Sequence, residues 1–135
     1  MKRKFFGCAA GALLLGVCCM IWGCAAEPPK KLLSEDLETR KVFADDIAVL
    51  KSDKHPTNSR EKYLAAKHLA EGVDFSLTRN VETLGKLFRP EDGVATYTTE
   101  YGNEVVFYYN YQNHYVRLRF WFAKNLVTDS EVRIK

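Results

Sequence analysis

The spacing of apolar residues predicts a chain that is helical first and ends as a sheet. Apolar positions recur every three to four residues over 35–51, 58–72 and 79–84, which is the spacing of one helix face. From Val94 onward they recur at every second residue, in segments rich in Tyr, Val, Phe and Thr. The pattern therefore predicts three helices followed by strands.

Candidate capping residues mark the ends of these helices. Ser34, Asn58 and Thr78 each precede a helical segment, and their short side chains can accept hydrogen bonds from the free N–H groups of a first turn. Gly72 and Gly85 are the predicted ends of the second and third helices, because glycine readily adopts the conformation that closes a helix.

Four strands are predicted, at residues 94–99, 105–111, 115–122 and 126–134. The segments between them are short, which favours an antiparallel meander. We therefore expect an α+β fold in which two to three helices pack on one face of a three- to four-stranded antiparallel β-meander.

The hairpin between the second and third predicted strands defines an apolar face. A turn at Gln112 and Asn113 pairs Tyr109 with Val116. Every second residue from that pair is then apolar, so the face should lie against the helices. Its predicted members are Val105, Phe107, Tyr109, Val116, Leu118, Phe120 and Phe122.

The last hairpin can be aligned by its charges. A three-residue loop at 123–125 places Arg119 opposite Asp129. It also places Arg117 opposite Glu131, so that opposite charges meet on one face. A two-residue loop would instead place apolar side chains against these carboxylates, because a slip of one residue exchanges the two faces. We therefore predict the three-residue loop.

The second face of the sheet carries residue types that are common at protein interfaces. Tyr, Trp and Arg are enriched in the residues that dominate binding energy. The predicted partner-binding residues are Tyr108, Tyr115, Arg117, Arg119 and Trp121, on a face shared with Val106, Val127, Asp129 and Glu131. The alternative is a plain exposed sheet held by Arg–carboxylate and Arg–Tyr contacts, each of which stabilises little.

The first 24 residues change the picture from a soluble domain to an exported one. Three basic residues precede an apolar run from Phe5 to Trp22, as in a secretory signal. The run closes on Gly23 and Cys24, which resembles a bacterial lipobox. The resemblance implies cleavage between Gly23 and Cys24 and acylation of Cys24 by fatty chains such as palmitate. An uncleaved membrane anchor and a buried helix are the alternatives.

These features divide the chain into a signal peptide at 1–23, a lipidated Cys24 with a tether to residue 34, and one α+β domain at 35–135. The positive charges stay inside the cell, so the domain is expected outside the cytoplasm. Ala25 follows Cys24 where inner-membrane lipoproteins of this class carry Asp, which implies an outer-membrane location facing the periplasm.

Composition restricts the chemistry of the domain. Removing Lys2, Arg3 and Lys4 from the 20 basic residues leaves 17, against 17 acids, so the mature part is formally neutral and nucleic acid is not an expected partner. All four cysteines lie at or before Cys24, so the domain has no disulfide to stabilise it.

Candidate catalytic and metal-binding residues are sparse. His55, His68 and His114 have no ligand-like spacing, and Asp45 and Asp46 are sequence neighbours that point apart on a helix. We therefore predict no catalytic residue, no metal site and no cofactor.

Two stretches are similar to the BamE (SmpA/OmlA) family of small outer-membrane lipoproteins. One runs from Leu77 to Gly85 and resembles the family's capped helix and closing glycine. The other runs from Trp121 to Val127 and resembles its aromatic strand and polar turn. The resemblance implies helices packed on a meander and assistance to the machinery that inserts β-barrels.

The sequence thus predicts a non-enzymatic envelope lipoprotein. Acylated Cys24 would bind the lipid bilayer, and the predicted partner-binding face would dock an envelope protein. The alternative is a periplasmic ligand-binding or inhibitor module with a pocket between helices and sheet.

Overall fold

Short elements precede the sheet in the computed structural model, which describes residues 31–98 and 102–135. Strand β1 (Leu32–Leu33) leads into helices α1 (Leu37–Val42), α2 (Ala44–Lys51) and α3 (Arg60–Gly72). Strand β2 (Val73–Asp74) pairs in parallel with β1. A 3₁₀ turn (Phe75–Leu77) then leads to helix α4 (Val81–Leu87).

The sheet follows a second 3₁₀ turn (Pro90–Asp92). Its strands are β3 (Gly93–Thr98), β4 (Gly102–Tyr111), β5 (His114–Ala123) and β6 (Leu126–Ile134). They pair in chain order and antiparallel, so the meander and the α+β class are confirmed.

The predicted first helix is two helices, which brings the number of α-helices among the described residues to four. Phe43 separates α1 from α2 with φ −103° and ψ 25°, outside the helical range. Its ring packs on the core and over Gly72, where any added Cβ would collide with it. The break lets Phe43 reach the core, and Gly72 leaves room for it.

The prediction that Asn58 caps the second helix is wrong by one residue. Ser59 takes extended dihedrals, and its hydroxyl accepts a hydrogen bond from the Lys62 N–H at 3.2 Å. Either residue type can cap a helix, so the sequence pattern did not separate these neighbours.

The predicted caps Ser34 and Thr78 are instead buried partners. Their hydroxyl oxygens lie 2.5 Å apart, 44 residues apart in sequence. Gly85 does not end the third helix, because α4 continues through it to Leu87. Glu35 instead holds the start of α4: its carboxylate accepts from the N–H of Asn80, the residue that precedes the helix, at 2.6 Å, as the glutamate of a capping box does.

The hairpin β4–β5 has the predicted register. Tyr109 pairs with Val116, and the turn residue Gln112 has a φ of 56°. The pairs Phe107–Leu118 and Val105–Phe120 follow. Of the predicted apolar face, Val105 and Phe122 are half-buried and the other five residues are buried.

The predicted loop between β5 and β6 is wrong. Ala123 pairs with Leu126 across a two-residue loop, in which Lys124 has a φ of 56°. The register then shifts by one residue at Trp121, so that Thr128 is the extra residue of a β-bulge. The pattern of charges could not reveal a bulge, because a bulge changes the register partway along the strand.

The bulge decides the faces of β6. Beyond it Arg119 pairs with Glu131, so the acids do lie on the face of the arginines. Arg117 does not pair with Glu131 as predicted but with Arg133. Val127 lies before the bulge, pairs with Phe122 and packs on the core, contrary to its predicted place on the second face.

The core lies between the helices and one face of the sheet. Phe88 stacks on Phe107 with ring centroids 4.7 Å apart, and Phe75 meets Phe120 edge-on at 5.7 Å. Helix α3 contributes Ala65, Ala66, Leu69 and Ala70. The three alanines let the helix approach the strands closely.

The compact unit containing this core begins before the predicted domain boundary at residue 35. It spans Lys31–Lys135, and β1 with the buried Ser34 belongs to it. The predicted tether therefore includes residues that are part of the folded body.

Candidate functional site: an arginine and aromatic face

Tyr108, Tyr115, Arg117, Arg119 and Trp121 lie together on one face of β4 and β5, named here the arginine–aromatic face. Tyr108 pairs directly with Arg117. Alternation along the strands sends their sequence neighbours into the core, so these side chains must point to the opposite side. The structure therefore brings all five predicted partner-binding residues together.

Aromatic contacts order this face. The rings of Tyr108 and Tyr115 stack with centroids 5.5 Å apart, and Tyr108 remains 43% exposed. The Arg119 guanidinium lies 5.5 Å from the Trp121 ring centroid, within the range of a cation–π contact. Such rings present large rigid surfaces at little cost in side-chain entropy.

Acidic side chains hold the arginines in place. Glu131 lies 3.4 Å from both Arg117 and Arg133, and 3.7 Å from Arg119. Glu104 lies 3.4 Å from the Arg119 Nε atom. These partly exposed pairs each stabilise the fold by about 0–1 kcal/mol, so their main effect is to orient the guanidinium groups.

The arginines retain unused hydrogen-bonding capacity. The Nε atoms of Arg117 and Arg119 are buried and donate no hydrogen bond within the described residues. The Arg119 Nε atom lies close enough to the Glu104 carboxylate for an ion pair, but its N–H is not aligned for a hydrogen bond. Because these two Nε atoms are buried, they are shielded from a partner that docks on the surface, and contacts to a partner would use the outer N–H groups of the guanidinium.

Two residues of this site were missed from the sequence. Glu104 belongs to β4, which begins at Gly102 and not at the predicted residue 105. Arg133 joins the face because the bulge shifts the register of β6. A partial signal for Arg133 was present, because it alternates with Glu131 and Asp129 along one strand.

An open apolar depression lies between α4 and the edge of the sheet. Its volume is about 250 Å³. It is lined by Val81, Leu84, Gly85, Pro90, Ala95, Val105, Phe107 and Phe122. It thus reaches Phe107, as a ligand pocket between helices and sheet would, while Leu118 is fully buried and does not line it.

A buried charge lies in the core, beside the Pro90–Asp92 turn. Lys62 is fully buried and pairs with Asp92, which also accepts from Arg89 at 3.1 Å. The Tyr109 hydroxyl is buried without a hydrogen-bond partner in the described chain. Burial, helped by the Asp92 charge, raises the pKa of Tyr109 above its usual range. The cluster is inaccessible, which suits a structural role.

The histidines lie apart from one another. His68 contacts Asp46 at 3.2 Å, His55 lies 3.8 Å from Glu61, and His114 lies against the Tyr63 ring. Within residues 31–98 and 102–135, no three potential ligands gather where a metal ion could bind.

Gly23 and Cys24 lie outside the described residues, as does the apolar run before them. In the described portion of the chain, each helix is too short or too polar to cross a bilayer.

Comparison with known proteins gave no match. No family model fits the chain, and neither the curated proteins nor the solved structures include a significant relative.

Proposed function

We propose that this protein is a non-enzymatic lipoprotein of the bacterial envelope that acts as a protein-binding adaptor in outer-membrane or envelope assembly. The observation that carries the proposal is the arginine–aromatic face. Five residues of interface-prone types lie on one side of the sheet, with an exposed Tyr108 ring, half-buried Tyr115 and Trp121 rings and oriented guanidinium groups. Among the described residues, the helices pack on the opposite side.

The composition of this face favours a protein partner. Stacked aromatic rings offer apolar area, and guanidinium groups offer directional contacts to carboxylates and carbonyl groups. Arginines and acids alternate here, so the face offers both signs of charge to a polar surface.

Membrane attachment is the second part of the proposal. Acyl chains on Cys24 would tether the folded body to a bilayer. We expect this bilayer to be the outer membrane, with the folded body facing the periplasm. More than one acyl chain is needed for firm attachment. Mass spectrometry of the protein from membranes tests this part: an intact residue 1 with an unmodified Cys24 thiol would contradict it.

The adaptor role is tested by site-specific crosslinking in living cells. A photoreactive amino acid at Tyr108 should capture a defined envelope protein, while the same group at Val42, exposed on α1, should not. Arg117→Ala and Trp121→Ala should each abolish that crosslink while circular dichroism stays unchanged. If the folded variants still capture the same protein, the face is not the docking site.

The apolar depression supports a second candidate, a periplasmic ligand-binding or inhibitor module. Its volume of about 250 Å³ is near the lower end for small-molecule pockets. An added Cβ at Gly85 meets no atom within 4 Å, so Gly85→Trp would fill the depression. If that variant abolishes function while Trp121→Ala does not, this candidate is favoured over the adaptor.

A further inference from the structure

Within the described residues, one row of backbone groups along the edge of strand β6 has no strand partner, and of these groups the Ser130 N–H donates to the Asp129 carboxylate at 2.8 Å. The Lys135 N–H donates to the Tyr115 carbonyl at 2.9 Å, and the Tyr115 N–H donates to the Lys135 carbonyl at 3.1 Å. Lys135 thus directs both groups inward, and alternation directs those of Ser130, Val132 and Ile134 outward. Within the described chain, β6 forms its strand ladder with β5 alone.

The beginning of β6 is already occupied. The Val127 N–H donates to the Arg79 carbonyl at 2.8 Å, and the Val81 N–H donates to the Asn125 carbonyl at 3.0 Å. A strand added at this edge can therefore pair only beyond the bulge, along residues 129–135.

The charges along this open stretch are arranged to match an antiparallel copy of themselves. Asp129, Glu131, Arg133 and Lys135 alternate with uncharged residues, with both acids before both bases. When two copies pair about Val132, Glu131 faces Arg133 of the other copy. Asp129 then faces Lys135 of the other copy, and every charge meets its opposite.

Other registers lose this match. Pairing about Glu131 sets that carboxylate against itself, and pairing about Arg133 does the same for the guanidinium. Pairing about Ser130 sets Asp129 against Glu131. A register that pairs Val132 with Glu131 or Arg133 of the other copy sets outward-facing backbone groups against inward-facing ones. Only the register centred on Val132 brings together all four oppositely charged pairs.

The single chain also has a charge conflict that a second copy would relieve. Arg117 and Arg133 are direct cross-strand partners, and like charges in that position repel. Glu131 serves both of them and Arg119 as well. Glu131 of a second copy would supply another carboxylate beside Arg133.

The other side of the same edge is apolar and partly uncovered. Val132 is 38% exposed and Ile134 is 39% exposed, although both point toward the helical side. They border an open groove of about 490 Å³ whose other wall includes Val73 and Phe75. In the register centred on Val132, that side chain would pack against its own copy.

We propose that β6 is the interface with a second copy of this chain, and that two sheets join through antiparallel β6 strands centred on Val132. The joined sheet would have eight strands and would leave both arginine–aromatic faces open. The inference therefore goes beyond the adaptor role and does not depend on it.

Charge exchange tests the proposal on the full chain in detergent. Asp129 and Lys135 form no ion pair within the described residues, so changing them leaves the ion pairs of the single chain intact. Lys135→Glu and Asp129→Lys should each weaken dimerisation about threefold to thirtyfold, measured by sedimentation. The double variant, Asp129→Lys with Lys135→Glu, should restore it. A chain that stays monomeric, or a double variant as weak as either single one, overturns the proposal.

Cysteine scanning in membranes tests the register. In paired strands the two Val132 Cα atoms would lie about 5.5 Å apart, within disulfide range. Val132→Cys should therefore crosslink to itself on mild oxidation, above the background of the unsubstituted chain. Ser130→Cys should not, since two such positions would lie roughly 13 Å apart. Ser130→Cys and Ile134→Cys should crosslink when mixed. Equal crosslinking of Ser130→Cys alone, or none at any position, contradicts this register.

Discussion

Lys62 matters for the stability of the fold, although it belongs to neither proposed interface. It places a charged amine in the core, where Asp92 is its counter-ion and Arg89 holds the carboxylate from outside. A buried ion pair contributes little net stability, because both charges lose their water, but breaking it leaves an uncompensated charge. The effect of the Lys62–Asp92 pair on the free energy of unfolding is therefore seen only when one partner is removed.

Asp92→Asn should lower the free energy of unfolding by about 3–5 kcal/mol, because Lys62 loses its counter-ion. Urea unfolding followed by circular dichroism measures the change. Glu91→Gln is the matched control, since Glu91 is 68% exposed and lies 3.9 Å from Arg89. That control should stay within about 0.5 kcal/mol. Equal effects at both positions would contradict a buried pair.

Glu35 accepts hydrogen bonds at the start of helix α4, as a residue of the helix's own first turn often does, although it lies about 45 positions earlier in the sequence. Its carboxylate accepts from the N–H groups of Arg79 and Asn80, at 3.0 and 2.6 Å. Partial burial raises the pKa of Glu35, but these hydrogen bonds and that from Thr83 outweigh it, so the pKa lies below its usual 4.5.

Glu35→Gln should cost about 1 kcal/mol of stability near neutral pH, as the loss of a helix cap does. Because the folded pKa is depressed, this stabilisation is present above pH 4.5 and is lost as the pH falls through the folded pKa. Urea unfolding at several pH values should show the two proteins converging in acid. A difference that persists unchanged below the folded pKa would contradict the role of the charge.

At the scale of elements, helix α4 contains a glycine that its own geometry does not need. Gly85 lies inside the helix, and an added Cβ meets no atom within 4 Å. Gly85→Ala should therefore stabilise the protein by about 0.5–1 kcal/mol through reduced freedom of the unfolded chain. Thermal unfolding checks this, with Gly72→Ala as the contrast. That variant should destabilise, because its Cβ collides with Phe43. A destabilising effect of Gly85→Ala would show that the space for a Cβ at this position is not open.

The small β1–β2 pair shows why short elements escape prediction. Two leucines carry no readable period, and the pairing joins residues about 40 positions apart. By contrast, the ten-residue strands β4 and β5 are long enough for alternation to define both faces and the register.

At the scale of the molecule, the boundary of the folded body can be measured. A fragment beginning at Lys31 retains β1 and the Ser34–Thr78 hydrogen bond, and one beginning at Glu35 loses both. The longer fragment should be more stable by about 1–3 kcal/mol, from one buried hydrogen bond and the partial burial of Leu32. Urea unfolding compares the two. Equal stability of the two fragments would indicate that the folded domain begins at residue 35, as predicted.

The two proposed interfaces also belong to this scale. The arginine–aromatic face and the β6 edge lie on the same sheet and share Glu131 and Arg133, but Trp121 belongs only to the first and Lys135 only to the second. Trp121→Ala should therefore block partner crosslinking without changing self-association. Lys135→Glu should do the reverse.

The pattern of residues along the chain was enough to predict the α+β class, the meander, the β4–β5 register and the shared face of Tyr108, Tyr115, Arg117, Arg119 and Trp121. These depend on alternation, which each strand carries locally. The break at Phe43, the long-range contact from Glu35 and the bulge at Thr128 became visible only in the folded chain. Each of these depends on a partner distant in sequence or on a local irregularity in pairing, and neither leaves a periodic trace in the chain.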